Sequence, residues 1–286
     1  MKLADLIQET ERQLNESGVH FGHGTDNAHD EAAWLVLHAL GLPLDSDLHD
    51  AQVGGLIVSP EHQAQAALLL QKRISTRQPL AYLTHQAWLQ GVPFYVDERT
   101  IVPRSLIAEV IADGNVDPWL TENTRRVLDL CTGNGSLAVL AAMAWPEVTV
   151  DAVDISTDAL AVARINVDQH GLSERIRLIE SDGFAQCQGV YDLVLCNPPY
   201  VNRASMEALP AEFQAEPSLA LAGGSDGMDF IRAMLAAAPR FLSESGVLVL
   251  EIGHEREHFE AAFPDLHPVW IDTSAGSDQV LLLARQ

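Results

Sequence analysis

The run Val127-Leu128-Asp129-Leu130-Cys131 closes on the glycine turn Thr132-Gly133-Asn134-Gly135, and an apolar helical pattern through Leu137, Val139, Leu140 and Ala141 follows it. An aliphatic strand, a glycine loop and a helix in that order form a unit that lets backbone approach a nucleotide-like ligand. Further apolar runs follow at 148–155, 176–180, 193–196 and 247–252, with helical patterns after Gly135, after Ser156 and over 230–241. Strands that alternate with helices require a parallel sheet covered on both faces, an α/β architecture. The last two runs, 269–271 and 280–283, are separated by only eight residues, too few for a helical crossover. They are expected to be antiparallel.

Upstream of Arg126 the pattern changes. Leu3, Leu6, Ile7 and Leu14 keep to one helical face, a second helix follows the turn-rich segment 21–27, and Ser59-Pro60-Glu61 has the composition of a helix start. Residues 1–84 therefore read as a small helical domain. Residues 85–104 read as a linking β-hairpin, with strands at 87–89 and 93–96 about Gly91, and 105–286 as the α/β domain, opened by a helix over 106–111 that Ser105 can cap. Trp88, Phe94 and Tyr95 read as packing aromatics.

The formal charge of −23, from 40 acidic and 17 basic residues, comes without a basic stripe. That disfavours a phosphate backbone as substrate and favours a cationic protein partner, although acidity that serves solubility alone is the better reading of the charge. Cys131, Cys187 and Cys196 lack disulfide or metal-ligand spacing and read as small apolar residues of a reducing compartment. No apolar run is long enough to span a bilayer, so a cytoplasmic protein is expected, without membrane contact.

Gly133, Gly135 and Ala138 satisfy the G-x-G-x-x-G/A spacing, which by itself serves NAD equally well. The acidic residues discriminate. Asp154 ends the second strand, where a carboxylate can take both ribose hydroxyls, and Asp182 follows the third, where it can meet an adenine amino group. Asp129, beside the loop, can receive an ammonium. S-adenosylmethionine carries all three groups, whereas a dehydrogenase has no use for the last.

The run 193–196 ends in Asn197-Pro198-Pro199-Tyr200. An amide nitrogen is a poor nucleophile because its lone pair is delocalised. Were the Asn197 side-chain oxygen and the Pro198 carbonyl to accept from a substrate NH2, they would orient it and stabilise charge developing on nitrogen. Paired prolines hold such a segment out of the sheet, and Tyr200 can pack on the planar group. Asn197, Pro198 and Tyr200 are thus the candidate catalytic residues, and Asn197, Pro198, Pro199 and Tyr200 the candidate substrate clamp.

Together with Asp129-Leu-Cys-Thr-Gly-Asn-Gly135, this motif resembles the protein-glutamine N5-methyltransferases of the HemK/Prm group over nearly the whole chain. Gly22-His-Gly-Thr-Asp-Asn27, Ala81-Tyr-Leu-Thr84, Phe94-Tyr-Val-Asp-Glu-Arg99 and Val102-Pro-Arg-Ser105 resemble the branch that methylates ribosomal protein three of the large subunit. Cys131, where the release-factor enzymes carry glycine, points the same way. The resemblance implies a Rossmann-like class I S-adenosylmethionine-dependent fold with a helical N-terminal domain that helps recognise a basic ribosomal protein. It places the cofactor on Asp129, Cys131, Thr132, Gly133, Gly135, Asp154, Ile155, Asp182, Gly183 and Asn197, without a metal. Arg104 could line the entrance or form a salt bridge.

Four rivals stay open. A release-factor methyltransferase shares the motifs. An adenine-N6 DNA methyltransferase faces the same nitrogen chemistry but must grip a duplex and flip a base. A ribosome-assembly factor could bind the cofactor without turnover. His254-Glu255-Arg256-Glu257-His258 spells a zinc-protease motif, yet no third ligand stands out, and a solvated helix start is the better reading.

Overall fold

Leu3, Leu6, Ile7 and Leu14 are all buried along one face of α1 (Leu3–Ser17), as their spacing requires, and Gly18 ends the helix in the left-handed region. In α2 (Ala28–Leu40) the Asn27 side chain accepts from the Asp30 amide at 2.9 Å, and Gly41 closes the other end. The single turn α3 (Ala51–Gly54) precedes α4 (Pro60–Thr76), whose first turn is capped by Ser59 Oγ accepting from the His62 amide at 3.2 Å. The short α5 (Leu80–Thr84) completes the set.

The computed structural model describes residues 1–285, and the chain divides into two units: Met1–Gln86 with Leu209–Ala215, and Ala87–Ala208 with Glu216–Gln286. The first unit thus takes up a second piece of chain from far along the sequence. Its polar centre explains why. Arg73, 1% exposed, donates to Glu31 Oε1 at 2.8 Å, to the His20 carbonyl at 2.8 Å and to Glu212 Oε1 at 3.2 Å. Arg77 also pairs with Glu212, at 2.7 Å. A buried guanidinium needs acceptors on every side, and Glu212 supplies one. Phe213 packs on the His23 ring at 4.2 Å between centroids, and a Cβ at Gly22 would come within 3.3 Å of it. The 22–27 loop is the seat for this returning segment.

The second unit opens with the hairpin β1 (Ala87–Leu89) and β2 (Val92–Phe94), turned by Gln90 and Gly91 at positive φ. The second strand stops two residues before the expected 96. The Tyr95 amide donates to Asn166 Oδ1 at 2.7 Å and its carbonyl accepts from Asn166 Nδ2 at 3.0 Å, so neither group is free for a ladder. Helix α6 (Ile107–Ala112) follows, with Ser105 Oγ accepting from the Ile107 amide.

Next come β3 (Arg126–Leu130), α7 (Ser136–Ala144), β4 (Thr149–Asp154), α8 (Thr157–Gln169), β5 (Ile176–Glu180), β6 (Tyr191–Cys196) and α9 (Arg203–Ala208). The turn α10 (Ala211–Gln214) lies in the piece belonging to the first unit. After it come α11 (Asp229–Ala237), β7 (Leu242–Glu251), α12 (Arg256–Ala262), β8 (Val269–Thr273) and β9 (Gly276–Ala284). Helix α11 stops short of the expected 241 because Pro239 has no amide to continue it, and a 3-10 turn over Ala238–Arg240 finishes the segment.

The sheet order is β5-β4-β3-β6-β7-β9-β8. The first five strands in that order are parallel, and β9 is antiparallel to both β7 and β8. The antiparallel closing pair is as expected. Alternate strand residues bury on opposite faces. Val127, Val150, Leu193 and Val247 meet α6, α7 and α8, while Leu128, Val194 and Leu248 meet α11 and α12. The chain runs from β3 outward to β5 and then crosses back to β6 on the other side of β3. That reversal makes a crevice at the carboxyl ends of β3 and β6, the place where open α/β sheets hold ligands.

Candidate active site

Leu130 and Cys196, the last residues of β3 and β6, are register partners, so the glycine loop and the Asn-Pro-Pro-Tyr motif leave the sheet side by side. In the loop, Cys131, Gly133 and Gly135 have φ of 64°, 55° and 81°. For cysteine this conformation costs about 1–2 kcal/mol. Gly133 is needed only for its φ, since a Cβ there would meet nothing within 4 Å. Gly135 is needed for space as well, because its Cβ would stand 3.1 Å from that of Ala163 in α8.

A cavity of about 260 Å³ opens over these tips. Of the expected cofactor residues, its walls include Cys131, Gly133, Asp154, Ile155, Asp182, Gly183 and Asn197. Asp129, Thr132 and Gly135 are not among the wall residues. Pro199 is a wall residue, and Pro198 and Tyr200 are not.

Asp154 accepts from the Gly133 amide and the Ser156 amide, both at 2.9 Å, and burial raises its pKa against the pull of those bonds. Asp129 is fully buried. Its Oδ2 accepts from Thr132 Oγ1 at 2.5 Å and from the Ala138 amide at 3.0 Å, while Oδ1 has no partner. Burial pushes this carboxyl up to about 7, the two hydrogen bonds offsetting only part of the desolvation. An unpartnered buried carboxylate oxygen beside a nucleotide loop fits the ammonium end of an amino-acid-bearing cofactor, so the residues present suit S-adenosylmethionine.

Tyr200 is anchored from behind. Its hydroxyl donates to Glu251 Oε1 at 3.3 Å, and its ring lies so close to Gly253 that a Cβ there would fall 2.5 Å from Cε2. Glu251 Oε2 accepts from Ser105 Oγ at 2.5 Å and from the Leu106 amide at 2.9 Å, and burial raises its pKa despite these donors. Arg104 makes a two-pronged pair with Glu216, both contacts 2.7 Å, and Glu216 also accepts from the Val102 amide at 2.9 Å. Of the two roles open to Arg104, the salt bridge is the one formed. It fixes the segment whose next residues, Pro217, Leu219 and Ala220, wall the cavity.

Sequence reasoning missed Glu251 and Glu216, which lie far along the chain from the residues they hold. It also missed the walls contributed by Arg99, Thr100, Ile101 and Phe230. The one signal for them in the sequence is the stretch 94–99, which carries part of the family resemblance and ends on Arg99. At the zinc-protease spelling, Glu255 accepts from Asn202 Nδ2 at 2.7 Å and pairs with His258, and Arg256 stacks on Trp270 at 4.4 Å. No group of three or more potential metal ligands occurs among the described residues. No described helix is long and apolar enough to cross a membrane.

The family described as Methyltransferase small domain matches residues 116–225. Among solved structures, the hMettl16 catalytic domain has a TM-score of 0.54 at 14% identity, covering 79% of this chain and 81% of its own. A methyltransferase from Pyrococcus furiosus has a TM-score of 0.50 at 16% identity, covering 78% and 98%. At such identities the likeness concerns the fold alone. Sequence relatives go further. A protein from Bordetella pertussis named ribosomal protein uL3 glutamine methyltransferase is 54% identical over 289 residues, 99% of this chain and 95% of the relative. Proteins of the same name from Neisseria meningitidis and Burkholderia pseudomallei are each 48% identical, covering 99% and 98% of this chain and 93% of their own lengths. With a methyltransferase sheet, a crevice between the glycine loop and Asn-Pro-Pro-Tyr, and these full-length relatives, the chain belongs to the family of ribosomal protein uL3 glutamine methyltransferases.

Proposed function

We propose that the protein transfers a methyl group from S-adenosylmethionine to the side-chain amide nitrogen, N5, of a glutamine in ribosomal protein uL3. The observation that carries this reading is the register pairing of Leu130 with Cys196, which puts Cys131 and Asn197 on the walls of one cavity. The bound cofactor supplies a methyl group activated by a sulfonium. The chain's part is reception and orientation. Asp154 receives the ribose, Asp182 the adenine edge and Asp129 the ammonium. Asn197 Oδ1 and the Pro198 carbonyl accept hydrogen bonds from the substrate NH2 and favour the charge that grows on nitrogen. The prolines keep that carbonyl fixed without a competing donor. Glu251 and Gly253 hold Tyr200 in one orientation beside the clamp. The surplus proton leaves to water.

A basic ribosomal protein complements a chain of charge −23, and the helical unit is the part we assign to its recognition. A substrate of the ribosome puts the enzyme in the cytoplasm. The names of the relatives favour uL3 over release factors as the methyl acceptor.

Labelled S-adenosylmethionine offered with uL3 and, separately, with release factors tests the assignment by mass spectrometry. Label is expected on a uL3 glutamine; label confined to release factors overturns the narrower reading. Asn197→Ala should lower methyl transfer by roughly 10²–10³, the cost of removing one such electrostatic group, and still bind S-adenosylhomocysteine. A variant with undiminished transfer removes Asn197 from the chemistry.

A further inference from the structure

S-adenosylmethionine has a carboxylate beside its ammonium, and the roles given to Asp129, Asp154 and Asp182 leave that anion without a receiver. The glycine loop is the first place to look, since backbone amides at a helix start commonly bind anions. Here five of them are already spent. The amide of Thr132 donates to the Val153 carbonyl, that of Gly133 to Asp154, that of Gly135 to the Thr132 carbonyl, that of Ser136 to Asn134 Oδ1 and that of Ala138 to Asp129. With carboxylates at Asp154 and Asp182 on the walls, an added anion would be repelled unless a cation answered it.

Among the described residues, the walls contain one basic side chain, Arg99. We infer that Arg99 receives the carboxylate of the cofactor's amino-acid end, as the positive counterpart to Asp129 at the ammonium. This rests on the methyl-donor reading above.

The guanidinium is already held in place on the cavity wall. Its Nε donates to Asp97 Oδ1 at 2.8 Å and its Nη2 to Asp97 Oδ2 at 2.6 Å, which leaves Nη1 outside the pair. Asp97 is buried and also accepts from the Tyr95 hydroxyl at 2.8 Å, so it cannot swing to follow a loose arginine. Burial alone would raise this carboxyl, but the bonds from Arg99 and Tyr95 outweigh it and hold it down to about 2. Asn166 ties the whole segment to the cofactor loop, gripping the Tyr95 backbone and donating to the Asn134 carbonyl at 2.8 Å. An arginine held by a buried carboxylate on one edge presents a fixed donor on the other. That is the preorganisation a carboxylate subsite needs, and a lysine does not offer the same fork.

The test compares two ligands by calorimetry: S-adenosylhomocysteine, which has the amino-acid end, and 5′-methylthioadenosine, which lacks it. Arg99→Gln should weaken the first by about tenfold to a hundredfold, the usual range for a charge-assisted hydrogen bond, and change the second by less than about twofold. Unchanged affinity for S-adenosylhomocysteine, or an equal loss for both ligands, overturns the inference. If Arg99→Gln does not fold because Asp97 is left unpaired, the double variant Asp97→Asn with Arg99→Gln removes that charge, and the same outcomes apply. Wild-type protein that binds neither ligand overturns the methyl-donor reading itself and the role of Arg99 with it.

Discussion

Asp129 combines full burial with one bare oxygen, and under the ammonium role proposed for it, ionisation near neutrality ties cofactor binding to pH. The carboxyl can neutralise an ammonium only when charged. Affinity for S-adenosylhomocysteine should therefore rise by about tenfold per pH unit up to about 7 and level off above it. Stability without ligand runs the other way. The folded pKa is raised from 3.8, so this group's contribution is complete below 3.8 and is lost as pH rises through about 7. Asp129→Asn should flatten both dependences, read by calorimetry and by thermal unfolding between pH 4 and 8; a variant that keeps the wild-type slopes puts the titration elsewhere. The position of Asp129 beside the loop was legible in the sequence. Its bare oxygen was not, because which donors reach a carboxylate depends on how Thr132 and the first turn of α7 fold over it.

At the level of elements, the Asn-Pro-Pro-Tyr motif is held by chain that lies far from it in sequence. Gly253, at φ 53° just past β7, gives the Tyr200 ring room that a side chain would take. Gly253→Ala should cost about 1–3 kcal/mol through overpacking and lower methyl transfer about tenfold, with S-adenosylhomocysteine affinity within twofold because Gly253 is no part of the cavity wall. A loss of cofactor affinity matching the loss of turnover would show that the glycine serves the cofactor instead. The strands and the longer helices followed from apolar patterning, which is local, whereas the short helices α3, α5, α9 and α10 were not legible in it. The ends of the legible elements did not follow. β2 stops where Asn166 captures Tyr95, a partner 71 residues away, and local propensity cannot see such a competitor.

For the whole molecule, the piece Leu209–Ala215 shows the limit of reading domains as continuous stretches. Arg73 has buried carboxylates on Glu31 and Glu212, and removing it leaves both without this partner. Arg73→Ala should destabilise the protein by about 3–5 kcal/mol, as breaking a buried ion pair does, measured by urea unfolding; a loss below about 1 kcal/mol would mean that the pair is solvated. The sequence by itself determined the α/β class, the glycine loop, the acidic residues at the strand ends and the amide-proline motif, because each is written in neighbouring residues with a fixed period or spacing. Only the tertiary structure decided that Leu130 and Cys196 lie side by side, that Glu251 backs Tyr200, that Arg104 is spent on Glu216, and that Arg99 faces the cavity. Those contacts join residues dozens to more than a hundred positions apart, and their partners are selected by packing and by the need to satisfy buried charge, which no local pattern encodes.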